Sequence, residues 1–274
     1  MKIILQHLQF IQSAAAETCS QLYTKEINSV QTFCLTLLER LQHSAGSLIL
    51  LFNAMNDDRS HEFSAGIITR SQILDTLIGM NLLLVVKKAE ADGVDAPERE
   101  SRILEFRNIM LADGLSQTIF YLKKAKDLGL ITEDNLKTNF TNFVHTYKPF
   151  FNEYAIEGAE PTMKYPKAAG PTDLFKNLAN HPELKNIASL YDAYLYFSKY
   201  DHFGIMSSQI IREPWGTKMK IYLDAYEALV AALSFLHVIL AGQEPADEFI
   251  KQRLTATNQY PLEQVIKPHI PGQK

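Results

Sequence analysis

Two polar side chains fall on what is otherwise an apolar helix face. In residues 191–207, which read YDAYLYFSKYDHFGIMS, Ser198 and His202 are four residues apart, and Tyr194 precedes Ser198 by the same interval. At about 100° per residue, this spacing places all three on one side of a helix. A serine beside a histidine suggests a nucleophile with its general base, or a polar pair that holds a ligand. The same face carries apolar and aromatic residues: Ile187, Leu190, Tyr191, Leu195 and Ile205.

Catalysis by the serine is the weaker of these two interpretations. Nucleophilic serines usually sit on a tight turn beside an oxyanion hole, not in the middle of a helix. Buried hydroxyl and imidazole groups need partners, because an unsatisfied one costs about 1–3 kcal/mol. The sequence therefore predicts that another polar side chain faces this helix.

Arg70 is the best candidate for that facing side chain. It lies in the run from Ser64 to Val86, which is long enough for about six helical turns and has one broad apolar stripe. Arg70 and Asp75 fall inside or beside that stripe. A buried arginine is rare unless it is paired. We therefore expect Arg70 to pack near His202 and to pair with Asp75.

These two segments resemble a family of bacterial all-helical proteins that has no settled activity. The resemblance rests on R-S-x-x-L-D from Arg70 to Asp75 and on the later Y-x-x-x-S-x-x-x-H of Tyr194, Ser198 and His202. It covers residues 66–206 and implies a helical fold and a bacterial source. In that family the arginine-serine helix often ends in Glu, and Asp75 in this position shortens the reach of the acid.

Helical periodicity extends over most of the chain and predicts an all-α, single-domain bundle of about six to eight helices. We expect the domain to cover residues 1–260 and residues 261–274 to form a polar, frayed tail. The main break is Glu157–Thr172, with two Gly and three Pro. We interpret it as a loop or lid, not a domain boundary, because Arg70 and His202 lie on opposite sides of it and need each other.

The composition is that of a soluble globular protein. The 274 residues are 46% hydrophobic and carry a net charge of −4, so no general attraction to nucleic acid or to a membrane is expected. The most apolar late stretch, Leu229–Ala241, is shorter than the roughly 20 residues that cross a bilayer. Cys19 and Cys34, on one predicted helix, would lie about 22 Å apart, too far for a disulfide. We expect a cytoplasmic protein with reduced thiols.

The residues give no pattern for a metal or a cofactor, and we expect neither. The chain lacks the Glu-x-x-His pairs of di-iron bundles and the glycine-rich loop of phosphate sites. Helical ribonucleases of the HEPN type place an Arg and a His at the polar centre of a bundle, usually within one helix. No Arg here has a His at their spacing. Only Arg70 with His202 would reproduce that chemistry.

The sequence favours a non-catalytic ligand-binding or interaction module. Its polar site would consist of Arg70, Asp75, Tyr194, Ser198 and His202, and its ligand would be small and polar or anionic. A buried hydrogen-bond network that only fixes helix register explains the same residues. The alternative is a HEPN-like ribonuclease or toxin-type enzyme, although no basic stripe favours nucleic acid. The residues leave open enzymatic activity and homo-oligomer formation.

Overall fold

The fold, taken from a computed structural model, is all-α. The structure describes residues 1–55, 59–152, 159–181, 188–201, 209–210, 212–243 and 247–266, with the backbone alone at 188, 189, 201, 232 and 261–266. It bounds nine α-helices in these ranges: α1 Lys2–Tyr23, α2 Ser29–Ala54, α3 Glu62–Ala91, α4 Ala96–Asp127, α5 Glu133–Thr146, α6 Pro171–Ala179, α7 Ala188–Ser198, α8 Trp215–Ala241 and α9 Glu248–Ile266. The described residues contain no β-strand, only a bridge between Phe151 and Met163. The predicted fold class is confirmed.

The chain packs as two compact units. Met1–Asp92 and Pro171–Lys274 form the first, and Gly93–Gly170 forms the second, which is therefore an insertion in the first. The boundary after Gly170 falls inside the proline-rich stretch that we interpreted as a loop. A boundary there is compatible with contact between the helices that carry Arg70 and His202, because an insertion leaves both flanking segments in one unit. The extent of a single domain over residues 1–260 stays a prediction.

Helix α8 lies at the centre of the first unit and packs on α1, α2, α3, α7 and α9. Its aromatic side chains meet Phe52 of α2 edge-on, with ring centroids 5.0 Å from Tyr222 and 6.1 Å from Tyr226. The buried hydroxyl of Tyr226 shares a 2.7 Å hydrogen bond with Thr69 of α3. Because each buried ring is large, these contacts supply much of the packing that holds the unit together.

Helix α8 is also the one described helix that is long and apolar enough to cross a membrane. An 18-residue window within its 27 residues has a mean hydropathy of 1.6, and 53% of that window is buried inside the fold. The thirteen residues Leu229–Ala241 are only the most apolar part of this helix, and the window that passes the test extends beyond them. The absence of a membrane partner stays a prediction.

The first two helices are separate, whereas the sequence suggested one helix through both cysteines. Helix α1 ends at Tyr23, and α2 begins after Asn28, whose side chain accepts from the backbone N–H of Gln31 while Gln31 accepts from that of Asn28. This reciprocal capping box fixes a new helix start. Both thiols are free and buried, and burial raises the pKa of each to about 12. The two cysteines are unpaired in this fold, and because they lie on different helices their spacing along one helix is not the reason.

Helix α7 differs from the predicted helix in length and in its buried face. The α-helix ends at Ser198, and a 3₁₀ turn follows from Lys199 to Asp201. Leu195 of the predicted inner stripe is 43% exposed, whereas Phe197, which is not a member of that stripe, is fully buried. Aromatic residues occupy so many positions of this short helix that apolar spacing does not select one face.

The second unit has a small core of its own. Helices α4 and α5 pack together and bury a cluster that includes Ile119, Leu136, Phe140 and Phe151. Thr132 caps α5 by accepting from the backbone N–H of Asn135, as threonine often does at a helix start. Gly129 has a φ of +70°, which glycine adopts readily at the end of a helix.

One polar side chain of α3 is buried without hydrogen bonds, and replacing it should stabilise the folded protein. Gln72 is fully buried, and neither polar atom of its carboxamide has a partner in the described part of the chain. We expect Gln72→Met to raise the free energy of unfolding by about 1–3 kcal/mol, since it removes two unsatisfied groups at nearly constant volume. Denaturant melts measure the change.

A matched control for this substitution lies on the same helix. Thr69 is equally buried, but its hydroxyl donates to the Ala65 carbonyl and bonds to Tyr226. Thr69→Val should therefore destabilise the protein by about 1 kcal/mol or more, because it leaves the Tyr226 hydroxyl without its partner. A loss of stability in Gln72→Met would mean that the carboxamide is hydrogen-bonded in solution.

Candidate functional site

Arg70 contacts helix α7, as the sequence predicted. The residue that it contacts there is Tyr194. Its Nη2 lies 3.4 Å from the Tyr194 hydroxyl, and its guanidinium carbon lies 5.4 Å from the ring centroid. A 3.4 Å hydrogen bond is long, so stacking of the cation on the ring is the main interaction. Helices α3 and α7 therefore pack against each other, and the expected proximity of Arg70 to His202 stays a prediction.

Asp75 pairs with Arg40 of α2, which corrects the expected pairing with Arg70. The Arg40 Nε lies 3.0 and 2.9 Å from the two carboxylate oxygens. Five residues along a helix turn the chain by about 140° from the starting direction, so Arg70 and Asp75 point to different neighbours. Burial raises the pKa of Asp75, and the hydrogen bond and charge of Arg40 oppose that rise.

Ser198 does not join a buried network. Its partly exposed hydroxyl donates to the backbone carbonyl of Leu195 at 2.7 Å, so its own helix satisfies it. His202 lies outside the described residues. Of the five predicted site residues, the structure brings together Arg70 and Tyr194, gives Asp75 another partner, and leaves Ser198 at the helix end.

A different buried polar group lies where the first turns of α3 and α8 meet. Lys218 of α8 is 2% exposed, and its Nζ lies 2.6 Å from Oε1 of Glu62 at the start of α3. The Tyr200 hydroxyl donates to the same oxygen at 2.7 Å, and the Tyr222 hydroxyl donates to the Glu62 backbone carbonyl at 3.4 Å. A buried ion pair is stable only with such additional hydrogen bonds. We call Glu62, Lys218, Tyr200 and Tyr222 the Glu–Lys cluster.

The sequence interpretation missed the Glu–Lys cluster, although a signal was present. Lys218 lies at helical spacing from Tyr222, Tyr226, Leu229 and Leu233, all buried. A charged residue on an apolar stripe is the criterion that selected Arg70. A lysine in the first turn of a helix usually faces solvent, so the position of Lys218 alone does not mark it as buried.

The tyrosines of this region serve as neutral hydrogen-bonding groups. Burial is the main reason that the pKa values of Tyr200 and Tyr222 lie well above the usual range. Gly66 permits the close approach of Tyr200, because a Cβ there would lie 3.2 Å from the ring. Any larger residue at 66 would push the ring away, and the hydrogen bond to Glu62 would lengthen.

A groove between α7 and α8 lies beside the Glu–Lys cluster. Its volume is about 330 Å³, and its lining residues are Asp192, Ala193, Leu195, Tyr196, Lys199, Ile221 and Asp224. The Tyr196 hydroxyl donates to Oε2 of Glu213 at 2.8 Å, and its ring lies edge-on to Tyr200 with centroids 6.1 Å apart. Burial and the bond to Glu213 raise the pKa of Tyr196. Tyr196 thus joins the groove to the Glu–Lys cluster.

Within the described ranges, no three His, Cys, Asp or Glu side chains group as metal ligands. No protein-family model, curated protein or solved structure matches this chain. The likeness to a bacterial helical family stays a prediction.

Proposed function

We propose that this protein is a non-catalytic module that binds a small polar ligand in the groove between α7 and α8. The observation that carries the proposal is the groove's lining, in which apolar and polar side chains face the same space. Its volume of about 330 Å³ is near the lower end for ligand pockets, typically about 300–1,000 Å³. Ala193, Leu195 and Ile221 supply apolar surface, and Asp192 and Lys199 supply charge.

The wall of the groove is held rigidly, which supports binding. Tyr196 is bonded to Glu213, and Tyr200 behind it is bonded to the buried Glu62. A side chain that is already fixed loses little entropy when a ligand arrives, so less binding free energy is spent on ordering it. The tyrosines, with raised pKa values, can donate hydrogen bonds but are poor bases, and this favours a binding role over a catalytic one.

The alternative is a HEPN-like ribonuclease or toxin-type enzyme that uses Arg70 and His202. One observation favours it: the Arg70 guanidinium lies on Tyr194, two helical turns before residue 202 in the sequence. In both proposals the protein is bacterial and cytoplasmic. The binding module is preferred because it needs only groups whose positions are described.

A fragment screen by ligand-observed NMR tests the binding module. Leu195 is 43% exposed in the groove, so Leu195→Arg should fold normally and fill the space. We expect fragments that bind the wild-type protein to bind this variant at least about tenfold more weakly. The arginine side chain would occupy the groove, and the apolar contacts that the fragment loses are worth more than about 1.4 kcal/mol of binding free energy. Leu50→Arg, at a 73% exposed position on α2, is the matched control and should keep the wild-type affinity.

Two outcomes would contradict the proposal. Fragment affinities unchanged by Leu195→Arg would mean that the groove is not the site. Cleavage of single-stranded RNA by the wild-type protein, lost in His202→Ala and in Arg70→Ala, would instead establish the ribonuclease. Circular dichroism of each variant confirms that a loss of binding or cleavage is not a loss of folding.

A further inference from the structure

The groove has one negative and one positive end. Phe197 of α7 contacts Tyr222 of α8, with centroids 4.7 Å apart, and Tyr200 shares the Glu62 oxygen with Lys218. As residue numbers rise along α7, those of the contacting residues fall along α8, so the two helices are antiparallel.

This direction orders the charged side chains along the groove. Asp192 of α7 and Asp224 of α8 lie at one end, and Lys199 lies at the other. Seven residues at about 1.5 Å per residue separate the backbones of Asp192 and Lys199 by roughly 10 Å. Leu195, Tyr196 and Ile221 line the space between them.

The charges at the two ends are available to a ligand. Neither Asp192 nor Lys199 has an ion-pair partner among the residues that the structure describes. Asp224 pairs with Lys220, which is on its own helix and largely exposed. Glu227, one turn beyond Asp224, adds negative charge at the same end, and its pKa is raised by burial and by the Asp224 charge.

A ligand that matches this arrangement has an ammonium group, an apolar middle and a carboxylate. Each extended residue of a peptide spans about 3.3–3.6 Å, so two or three residues cover roughly 7–10 Å between their ends. Resting on the proposed function, we propose that the groove binds short peptides of two or three residues with free termini and an apolar side chain. Asp192 and Asp224 hold the terminal ammonium, Lys199 holds the terminal carboxylate, and Leu195 and Ile221 contact the apolar side chain.

Calorimetric titration of the full chain with the tripeptide Ala-Leu-Ala tests this proposal. Two matched ligands remove one charge each: the N-acetylated peptide lacks the ammonium, and the C-amidated peptide lacks the carboxylate. Each should bind about fivefold more weakly than the free peptide, as expected for partly exposed charge pairs.

Variants of the protein assign each charge to its partner. The affinities of Asp192→Asn for the free and the acetylated peptide should differ less than those of the wild-type protein do. The amidated peptide should still bind this variant more weakly than the free peptide. Lys199→Gln should show the reverse pattern. Asp173→Asn, at an exposed position on α6, is the control and should behave as the wild type does.

Equal affinity of the wild-type protein for all three peptides would overturn the proposal, as would tighter binding of 6-aminohexanoate than of the peptide. If groove fragments bind but the peptides do not, the binding module stands and the peptide assignment falls. If neither fragments nor peptides bind, both fall.

Discussion

Lys218→Met is expected to lower the free energy of unfolding by about 3–5 kcal/mol, because it leaves the Glu62 carboxylate buried without its cation. The lysine is 2% exposed, and its Nζ lies 2.6 Å from Glu62. Methionine has similar length and retains the packing of the lysine chain, so the change measures the charge and not the volume. Equilibrium denaturation in urea gives the free energy directly.

A second variant separates the lost cation from other effects. Adding Glu62→Gln to Lys218→Met removes the stranded charge but keeps an acceptor for the Tyr200 hydroxyl, so most of the stability should return. Lys220→Met, two residues further on and largely exposed, is the matched control and should change stability by about 0.5 kcal/mol or less. A change this small in Lys218→Met itself would show that Lys218 is solvated.

The second large effect is a loss of stability in mild acid through His237. This side chain is fully buried. One ring nitrogen lies 2.9 Å from the Thr18 hydroxyl oxygen of α1, and the other lies 3.1 Å from the Thr257 hydroxyl oxygen of α9. The two hydrogen bonds therefore connect α8 to α1 and to α9. Burial, and then the charge of Arg253, lowers the pKa of His237 to about 4. The folded protein therefore resists protonation of a group that titrates near 6.5 in the unfolded chain.

The sign of the pH effect follows from these two pKa values. Between about pH 6.5 and 4 the unfolded chain binds more protons at this position, so stability is fully present above pH 6.5 and is lost as the pH falls toward 4. The expected loss is about 3 kcal/mol. Denaturant melts from pH 7 to 4 should show a steeper decline for the wild type than for His237→Gln. Equal slopes would mean that His237 is accessible to protons in the folded state.

The fold class was predictable because helical periodicity is a local signal that repeats over most of the chain. The pairing of α3 with α7 was also predictable, since Arg70 on one helix and Ser198 with His202 on the other were each out of place on an apolar stripe. The contact that the structure describes is with Tyr194, which the sequence placed on the same face. The partner of Asp75 was not, because Arg40 is an ordinary exposed arginine until α2 packs beside α3. The groove arises only where two helices meet, so no single stretch of sequence predicts it.

The insertion of Gly93–Gly170 has a consequence for the order in which the protein forms during synthesis. The inserted unit is continuous in sequence and is complete when residue 170 has emerged from the ribosome. Helices α1, α2 and α3 pack on α8, which begins only at Trp215. At about 5–20 residues per second, the first three helices wait roughly 6–25 s for that surface. The apolar surfaces that α8 later covers, including Phe52, are then open to chaperones and to other nascent chains.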